Sequence, residues 1–407
     1  MSILKRSYEK TISYLMSQFP CVVVLGARQV GKSTLIKRLL PRAPYFDLER
    51  EMDFERVNAD PALLFQETDR PLLIDEAQLS SNLFNALRVE IDRCRHQRGQ
   101  FLLTGSSSPQ LLKKVSETLA GRVAIVELNS FVWQEAMQKP TSHFYEFLYN
   151  PSKFDQLTVN YSKTEILDLC LFGGYPEPFL RKQDSKFFEL WMENYYKTYV
   201  ERDVRALFPT LKLDAYKRFV RMLAYSSGEI INASNYARSL DVSQPTIKNY
   251  LDIAEGTFLW RKLNPYDRNV QKRVVKMPKG YIRDSGLINY MLRINTKDNL
   301  KGHPAFGRIW EVFIIEQIIR NLQISLERVE YYFYRTHNQT EIDLIIEGNF
   351  GLLPIEIKSG STTKLSSLRG MQNFIKEHQC KFGVVVNNGD EVCKLTENIY
   401  QVPAVYL

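Results

Sequence analysis

Residues 26–34 read Gly-Ala-Arg-Gln-Val-Gly-Lys-Ser-Thr, and the apolar run Cys21–Leu25 stands directly before them. This order predicts a buried strand, a glycine turn and the start of a helix, whose first backbone N–H groups face the turn. Gly26 and Gly31 carry no side chain, so a polyphosphate can approach the backbone closely there. The alternative is a chance match in an ordinary strand–turn–helix. The flanking strand and helix favour a phosphate-binding loop.

The side chains of this loop fit a nucleoside triphosphate bound with Mg²⁺. We expect Lys32 to reach the β- and γ-phosphates and the Ser33 hydroxyl to ligate Mg²⁺. The predicted nucleotide-binding residues of the stretch are Gly26, Ala27, Arg28, Gln29, Val30, Gly31, Lys32, Ser33 and Thr34.

A second motif, Pro71-Leu72-Leu73-Ile74-Asp75-Glu76, follows the first. Its apolar residues predict a strand buried on both faces, which ends in two acids at its carboxyl edge. In such folds the first acid, Asp75, holds Mg²⁺ and the second, Glu76, orients and deprotonates the attacking water. Taken alone, the acid pair would be interpreted as a cap of the next helix. Beside a phosphate loop it predicts hydrolysis.

A third strand, Gln100–Thr104, leads into Gly105-Ser106-Ser107-Ser108. We expect a hydroxyl of this cluster, that of Ser106, to touch the γ-phosphate or the water. Gly-Ser clusters are also ordinary loops, and that alternative stays open.

The composition limits the class of protein. The 407 residues suffice for two or three domains, and 44% apolar with 25% charged residues are typical of a soluble globular protein. No apolar run reaches about 18 residues and no signal-peptide core follows the N-terminus, so we expect no membrane partner. Five cysteines without a Cys-x-x-Cys spacing argue against a zinc site and for a reducing, cytoplasmic location.

The net charge of +8 is concentrated in the middle of the chain, where residues 181–280 hold 19 lysines and arginines against 11 acids. A basic surface there is suited to a phosphate backbone. Solvated basic helices give the same pattern, so charge alone leaves both interpretations open.

The same region contains a predicted winged helix-turn-helix, at about residues 213–285. Ala233–Leu240 and Gln244–Glu255 read as helices, with Ser243 as the N-cap of the second. Two strands, Thr257–Leu263 and Arg273–Lys276, are expected to follow. The alternative is a winged helix used only for packing or protein docking. The predicted DNA contacts are Gln244, Thr246, Lys248 and Asn249 in the major groove, and Lys272, Arg273 and Lys276 on phosphates.

Acids recur on neighbouring strands of the C-terminal third. Glu330–Arg335, Glu341–Ile346 and Leu352–Lys358 are predicted strands. The period of two places Glu341 with Asp343 on one face, and Glu356 with Lys358 on another. Converging carboxylates predict a site for Mg²⁺ or Mn²⁺, with Asp343 and Glu356 as ligands. Lys358 is expected to orient a water or to stabilise charge on phosphorus.

The apolar helix Phe306–Leu322 carries Glu311 beside isoleucines. An unpaired carboxylate there is costly, so we expect Glu311 to join this site. Glu316 has Arg320 four residues on, which predicts an ordinary surface pair.

The order helix, three strands, helix (Lys364–Glu377) and strand (Lys381–Asn387) is the core order of restriction-endonuclease-like nucleases. The spacing of Asp343, Glu356 and Lys358 resembles their signature, although Glu-Ile-Lys on a half-buried strand often occurs by chance. Glu311, Asp343, Glu356 and Lys358 are the predicted catalytic residues here. Many such folds are scaffolds, so cleavage is a separate question.

Together these segments resemble the bacterial and archaeal AAA-type ATPases that end in a restriction-endonuclease-like domain of unknown function. Further matches are Leu-Ala-Gly-Arg (119–122), Gly-Gly-Tyr-Pro-Glu-Pro (173–178), Glu-Arg-Asp (201–203) and Arg-Asp-Ser-Gly-Leu (283–287). The resemblance implies ATP with Mg²⁺ and a multidomain α/β fold. Its parts are an AAA-type P-loop core (1–138), a helical region with the winged helix (139–300) and the endonuclease-like domain (301–407).

The same resemblance suggests that Arg122 supplies a cation to the γ-phosphate, in its own subunit or in a neighbouring one of a homo-oligomer. An ion pair with an acid is the alternative, and Arg28 shares this ambiguity. The leading hypothesis is an ATP-hydrolysing switch, with Glu76 and Lys32 as catalytic residues, coupled to a module that acts on nucleic acid, DNA favoured. The alternatives are a non-cleaving regulator and an ATPase that acts on a protein.

Overall fold

The computed structural model describes residues 4–106, 115, 117–269, 277–336 and 340–407. Its contacts divide the chain into two compact units, Met1–Phe131 with Gly256–Phe258 and Val132–Glu255 with Leu259–Leu407. The division into three domains stays a prediction, and its boundary at residue 300 lies inside the second unit.

A parallel sheet is the centre of the first unit. Its strands are β1 (Cys21–Gly26), β2 (Tyr45–Asp47), β3 (Leu72–Asp75), β4 (Phe101–Ser106) and β5 (Val123–Glu127). They lie in the order β2-β3-β4-β1-β5, and all pairings are parallel. This sheet confirms the predicted P-loop type of fold. Its register places Gly26 beside Ser106, so the phosphate loop and the serine cluster begin at the same edge.

Helices cover this sheet. They are α1 (Tyr8–Gln18), α2 (Lys32–Leu39), α3 (Glu51–Ala59), α4 (Pro61–Glu67) and α5 (Ser81–Arg93). Leu83, Leu87 and Ile91 recur at helical spacing on α5 and pack in one core with alternate residues of β1. Burial of each such side chain contributes about 1.5–3 kcal/mol, which holds the strand ends in place.

The second unit is mostly helical over its first half. Its helices are α6 (Trp133–Met137), α7 (Phe144–Phe147), α8 (Lys163–Phe172), α9 (Pro176–Leu180), α10 (Ser185–Thr198), α11 (Arg205–Leu207), α12 (Leu213–Tyr225), α13 (Ala233–Leu240), α14 (Gln244–Gly256), α15 (Ser285–Met291), α16 (Lys297–Gly302), α17 (Phe306–Ile324) and α18 (Arg369–His378). A π-helical segment, Tyr199–Val204, joins α10 to α11.

A mixed sheet runs through the same unit. Its strands are β6 (Glu229–Ile230), β7 (Trp260–Pro265), β8 (Lys279–Ile282), β9 (Glu330–Arg335), β10 (Glu341–Gly348), β11 (Gly351–Ile357), β12 (Gly383–Asn387), β13 (Cys393–Thr396) and β14 (Ile399–Pro403). Their order is β13-β14-β12-β11-β10-β9-β7-β8-β6. The parallel pairing of β7 with β9 joins the strands of the middle region to those of the C-terminal third.

Several elements confirm the sequence predictions. The helix Ala233–Leu240 and the strand Glu330–Arg335 have the predicted bounds. Ser243 caps α14, because its hydroxyl accepts a hydrogen bond from the Thr246 N–H at 3.2 Å. The predicted strand Arg273–Lys276 lies outside the described residues, and the strand found after it is β8. Over the described part of the chain, no helix has both the length and the apolar character that crossing a membrane requires.

Candidate functional site

The phosphate loop lies between the end of β1 and the start of α2, as the sequence predicts. Gly31 has φ +93°, a left-handed conformation that favours glycine. A Cβ at Gly26 would lie 2.2 Å from the Leu128 carbonyl oxygen, so no side chain fits there. Lys32 is buried and donates to the carbonyls of Gly26 and Ala27, both at 3.1 Å. The loop therefore combines an open backbone, a lysine and a helix N-terminus, which together suit a polyphosphate.

Of the two acids of the second motif, Asp75 is the last residue of β3 and Glu76 follows it, at the same edge of the sheet. The Asp75 carboxylate accepts hydrogen bonds from the Thr104 hydroxyl and, at 2.6 Å, from the Tyr45 hydroxyl. The Glu76 carboxylate accepts from the N–H of Ser106 at 3.2 Å and from its hydroxyl at 2.9 Å. The structure thus brings Asp75, Glu76 and Ser106 together.

Three further side chains fix this edge, and sequence reasoning did not single them out. Arg6 donates to the Val30 carbonyl at 2.7 Å and so ties the N-terminal segment to the loop. Gln78 donates to Glu76 at 2.5 Å and to the Ser106 hydroxyl at 2.9 Å. Burial and then the carboxylate of Asp75 raise the pKa of Tyr45 above its usual range, so Tyr45 stays a hydrogen-bond donor. Gln78 follows Glu76 by two residues, and this closeness in the sequence is the feature from which its contact with Glu76 could have been predicted.

Arg122 is not placed beside the loop. It precedes β5, whose first residue pairs with Cys21 at the opposite end of β1 from Gly26. Its guanidinium forms two hydrogen bonds with Asp92, at 2.7 and 2.8 Å. This is the ion-pair alternative, and an action on a neighbouring subunit stays a prediction. Arg28 lies in the loop with its guanidinium 3.9 Å from Glu49.

The structure describes four of the seven residues that are predicted to contact DNA. Gln244, Lys248 and Asn249 are exposed on α14, and Thr246 is half-buried at its first turn. Lys272, Arg273 and Lys276 lie outside the described residues.

The C-terminal acids form one buried cluster. Lys358 Nζ lies 2.5 Å from Glu356 Oε1, and Asp343 Oδ2 accepts the N–H of Ile357 at 2.7 Å. Asp343 and Glu356 are each 8% exposed. Glu311 reaches the cluster from α17, since the charge of Asp343 acts on it. The structure therefore brings together all four residues that the sequence assigned to this site.

The cluster contains one cation that the sequence did not reveal. Lys279 Nζ lies 2.5 Å from Glu311 Oε1 and 2.9 Å from Glu341 Oε1, and its side chain is 3% exposed. Lys279 lies on β8, outside the strands that carry the acids. It belongs to a basic stretch of the sequence that is typical of a solvent-exposed surface. Only the sheet order shows that this lysine turns inward.

Three acids of the cluster, Glu311, Glu356 and Asp343, have raised pKa values. Burial, and after it the charge of Asp343, raises the pKa of Glu311 and of Glu356 to about 8 each, against the opposing lysines. Burial also raises the pKa of Asp343. Burial lowers the pKa of Lys279, but Glu311, Asp343 and Glu341 outweigh it and raise the pKa overall.

The interpretation of Glu316 and Arg320 as a surface pair is wrong. Glu316 is 2% exposed, and its carboxylate contacts Arg261, Arg283 and Arg320. Burial raises the pKa of Glu316, but the three guanidinium groups outweigh it and hold the pKa at about 2. The helix α17 is buried on nearly all sides. The i,i+4 spacing of Glu316 and Arg320, which is typical of an exposed ion pair, therefore occurs here inside the unit.

Comparison with known proteins identifies the family. A family model described as AAA domain matches residues 18–137, and two domains of unknown function, DUF8612 and DUF4143, match residues 163–298 and 306–407. An uncharacterized protein of Mycobacterium tuberculosis is 32% identical over 407 residues, covering 99% of this chain and 84% of that protein. The chain belongs to this family of AAA-domain proteins. An uncharacterized protein of Haemophilus influenzae is 23% identical over 63% of this chain and 60% of its own length.

Solved structures resemble this AAA-domain protein more distantly. The Walker-type ATPase PABY2304 of Pyrococcus abyssi has a TM-score of 0.41 at 15% identity, over 71% of this chain and 96% of that chain. The RuvB Holliday junction branch migration motor of Thermotoga maritima has a TM-score of 0.31 at 16% identity, over 67% and 95%. At these scores neither similarity establishes a function.

The AAA-domain match implies ATP and Mg²⁺ as ligands, and the geometry of the loop fits them. Ser33 stands at the first turn of α2, and Asp75 ends β3, which is separated from β1 by β4 in the same sheet; both side chains offer oxygen donors for Mg²⁺. Among the described residues, no group of three or more His, Cys, Asp or Glu side chains is arranged to hold a metal ion. At the C-terminal cluster, Asp343 and Glu356 as metal ligands therefore stay a prediction. Two carboxylates suffice for Mg²⁺ when waters and a substrate phosphate complete its shell.

Proposed function

We propose that the chain is an Mg²⁺-dependent ATPase whose nucleotide state controls a nucleic-acid-acting site in its second unit. The ATPase part rests on one observation above all. Glu76 lies at the carboxyl edge of the sheet that carries the phosphate loop, with its carboxylate oriented by Ser106 and Gln78. A carboxylate held in this way beside a γ-phosphate site is suited to orienting water.

Each residue of the loop then has a separate role. Lys32 would leave the carbonyls of the loop and bind the β- and γ-phosphates, while Ser33 and Asp75 would hold Mg²⁺. Mg²⁺ supplies charge stabilisation for the transferred phosphoryl group. Glu76 takes a proton from water, and Ser106 positions either that water or the γ-phosphate. Arg122 would act on the ATP of a neighbouring subunit in a homo-oligomer, which requires it to leave Asp92.

The second part of the proposal concerns the acidic cluster. Asp343 and Glu356 would hold Mg²⁺ or Mn²⁺, and Lys358 and Glu311 would complete the catalytic set of a restriction-endonuclease-like domain that acts on a phosphodiester. The partly buried lysine–carboxylate contact of Lys358 with Glu356 supports this role. The exposed residues of α14 would contact DNA as part of a winged helix, together with Lys272, Arg273 and Lys276.

A non-cleaving regulator is the second candidate, and one observation favours it. Glu311 and Glu341 are both engaged by Lys279, so two of the acids have a cation already. In that case ATP sets a conformational state and the second unit binds DNA or a protein without cutting it.

The experiment measures ATP hydrolysis together with cleavage of plasmid and single-stranded DNA, in Mg²⁺ and in Mn²⁺. Glu76→Gln should lose at least about 100-fold in ATP hydrolysis, since removal of a general base costs about 10²–10⁴-fold. Lys358→Ala should lose cleavage and keep hydrolysis. Glu67→Gln and Lys376→Ala, which change exposed residues of the same two units, are the matched controls. Absence of cleavage by every protein would favour the non-cleaving regulator. Absence of ATP hydrolysis by the parent would refute the ATPase assignment, and unchanged hydrolysis in Glu76→Gln would refute Glu76 as the residue that activates water.

A further inference from the structure

Glu76 has an unusual backbone conformation. Its φ of +53° lies in the left-handed region, which residues other than glycine rarely adopt unless their surroundings hold them there. The 3₁₀ turn Ala77–Leu79 begins directly after Glu76 and carries Gln78. Glu76 and Gln78 therefore belong to one tight turn, at the edge of the sheet where β4 ends in Ser106.

Three hydrogen-bond donors converge on one oxygen of the Glu76 carboxylate. Glu76 Oε2 accepts from Gln78 Nε2 at 2.5 Å, from the Ser106 hydroxyl at 2.9 Å and from the Ser106 N–H at 3.2 Å. Within the described part of the chain, no hydrogen bond reaches the other oxygen, Glu76 Oε1. The protein thus fixes one oxygen of the carboxylate, and the other remains available to a water molecule.

The Ser106 hydroxyl can donate to only one acceptor, because a hydroxyl carries a single proton. Here Ser106 donates that proton to Glu76. A γ-phosphate that binds the hydroxyl therefore competes with Glu76 for it. When the hydroxyl turns away, Glu76 keeps two donors, Gln78 Nε2 and the Ser106 N–H, and the contact with Gln78 is the shorter of the two.

The Gln78 amide is paired at one end only. Its Nε2 donates to the Ser106 hydroxyl at 2.9 Å as well as to Glu76. Its carbonyl oxygen, Oε1, is buried and has no hydrogen-bond partner among the described residues, and an unpaired buried acceptor is unfavourable for stability. The reason for a glutamine at this position therefore lies in the two groups that its donor end holds.

We propose that the γ-phosphate of ATP takes over the hydrogen bond that the Ser106 hydroxyl gives to Glu76, and that Gln78 then holds Glu76 beside the attacking water. This inference rests on the proposed ATPase function and adds its regulation, because the contacts of Glu76 change with the nucleotide. Gln78 is a positioning residue, since it acts through Glu76 and does not touch ATP.

The first test uses Gln78→Met in the full chain, which keeps the size of the side chain and removes the donor. Its kcat for ATP, from single-turnover hydrolysis, should fall at least about tenfold, since a misplacement of about 1 Å can cost about 100-fold. Its Kd for a labelled non-hydrolysable ATP analogue, from fluorescence anisotropy, should stay within about twofold of the parent's. Its melting temperature should not fall, because the unpaired amide oxygen is removed as well. Gln66→Met, at an exposed position of the same unit, is the matched control.

The double variant Glu76→Gln/Gln78→Met separates positioning from a structural role. If Gln78 acts through Glu76, its change adds no loss of hydrolysis to that of Glu76→Gln. The same loss in both backgrounds, or a kcat of Gln78→Met within about twofold of the parent's, overturns the inference and leaves the ATPase assignment intact. If the parent does not hydrolyse ATP, or Glu76→Gln hydrolyses it like the parent, the proposed role of Glu76 fails and the inference fails with it. Should circular dichroism show that Gln78→Met does not fold, Gln78→Glu decides, and an unchanged kcat there overturns the inference.

The second test concerns the Ser106 hydroxyl and needs no hydrolysis. Ser106→Ala should weaken binding of the non-hydrolysable ATP analogue relative to ADP by about two- to tenfold, the range of one net hydrogen bond. Gln78→Met should leave this ratio of affinities unchanged. Competition against the labelled analogue measures both nucleotides. An unchanged ratio in Ser106→Ala would show that the hydroxyl stays on Glu76, which overturns the inference.

Discussion

At the scale of single residues, Glu316 shows how strongly a buried charge depends on its partners. Its carboxylate contacts three guanidinium groups, from Arg261, Arg283 and Arg320, inside the second unit. Removal of one partner of such a buried group costs about 3–5 kcal/mol, because the remaining charges stay buried without compensation. We therefore expect Glu316→Gln to lower the free energy of unfolding by about that amount, measured by urea denaturation. Glu327→Gln, an exposed change just beyond the same helix, is the control. A loss below about 1 kcal/mol would show that the arginines are neutralised by other groups.

The same carboxylate predicts a pH dependence. Its folded-state pKa is about 2, because three arginines outweigh the effect of burial, whereas an unfolded glutamate has a pKa of about 4.3. A depressed pKa stabilises the fold fully above the unfolded value, and the contribution is lost as the pH falls through the folded value. Stability should therefore decline from about pH 4.5 to pH 2, by about 3 kcal/mol from this group. The difference between the parent and Glu316→Gln in urea midpoints across this range measures it, and a constant difference would contradict the prediction.

How far the sequence determines single side chains differs between the two sites. Lys32, Asp75 and Glu76 are found where their motifs placed them, since a loop and a strand end fix them locally. Lys279 and the burial of Glu316 could not be predicted, because each depends on strands that are distant in the sequence. The spacing of residues within one segment does not indicate contacts between strands that are distant in the sequence.

At the scale of elements, β8 links packing to the acidic cluster. A Cβ on Gly280 would lie 1.7 Å from the Trp260 ring on the neighbouring strand, which is fully buried and cannot retreat. Overpacking of this kind costs about 1–3 kcal/mol. Gly280→Ala should destabilise the second unit by that amount and should displace the adjacent Lys279. Thermal unfolding measures the first effect, and Gly302→Ala is the control, since a Cβ there meets nothing within 4 Å. Equal melting temperatures of the two variants would show that β8 adjusts freely.

The elements themselves were largely predictable, and their arrangement was not. Alternating apolar residues gave the strands Glu330–Arg335 and Glu341–Ile346, the second of which continues to Gly348. The parallel pairing of β7 with β9 has no local signal, because it joins strands that are separated by several helices. Helix α18 begins at Arg369, after a 3₁₀ turn at Leu365–Leu368, although the pattern predicted a start at Lys364. Neither a long-range pairing nor a short 3₁₀ segment alters the spacing of apolar residues along the chain, so neither can be predicted from that spacing.

At the scale of the whole molecule, ATP binding should stabilise the first unit. A ligand at 100 times its Kd stabilises the state that binds it by about 2.7 kcal/mol. In Glu76→Gln, which should bind ATP without hydrolysing it, Mg²⁺·ATP is expected to raise the melting temperature of the first unit. Lys32→Ala should show no such rise, because it lacks the cation for the phosphates. An equal rise of the melting temperature in Lys32→Ala would show that ATP binds at a site other than the phosphate loop.

The coupling of the two units is testable through its reciprocity. If the nucleotide state controls the second unit, ATP changes DNA affinity by some factor, and DNA must change ATP affinity by the same factor. Typical couplings of about 1–3 kcal/mol correspond to about 5- to 150-fold. We expect a factor in this range for Glu76→Gln in Mg²⁺, with fluorescence anisotropy of a labelled DNA and of a labelled ATP analogue as the two measurements. Because DNA binding depends steeply on salt, both titrations use the same ionic strength. DNA binding that does not depend on nucleotide, together with intact ATP hydrolysis, would mean that the two units act independently and that the switch hypothesis is wrong.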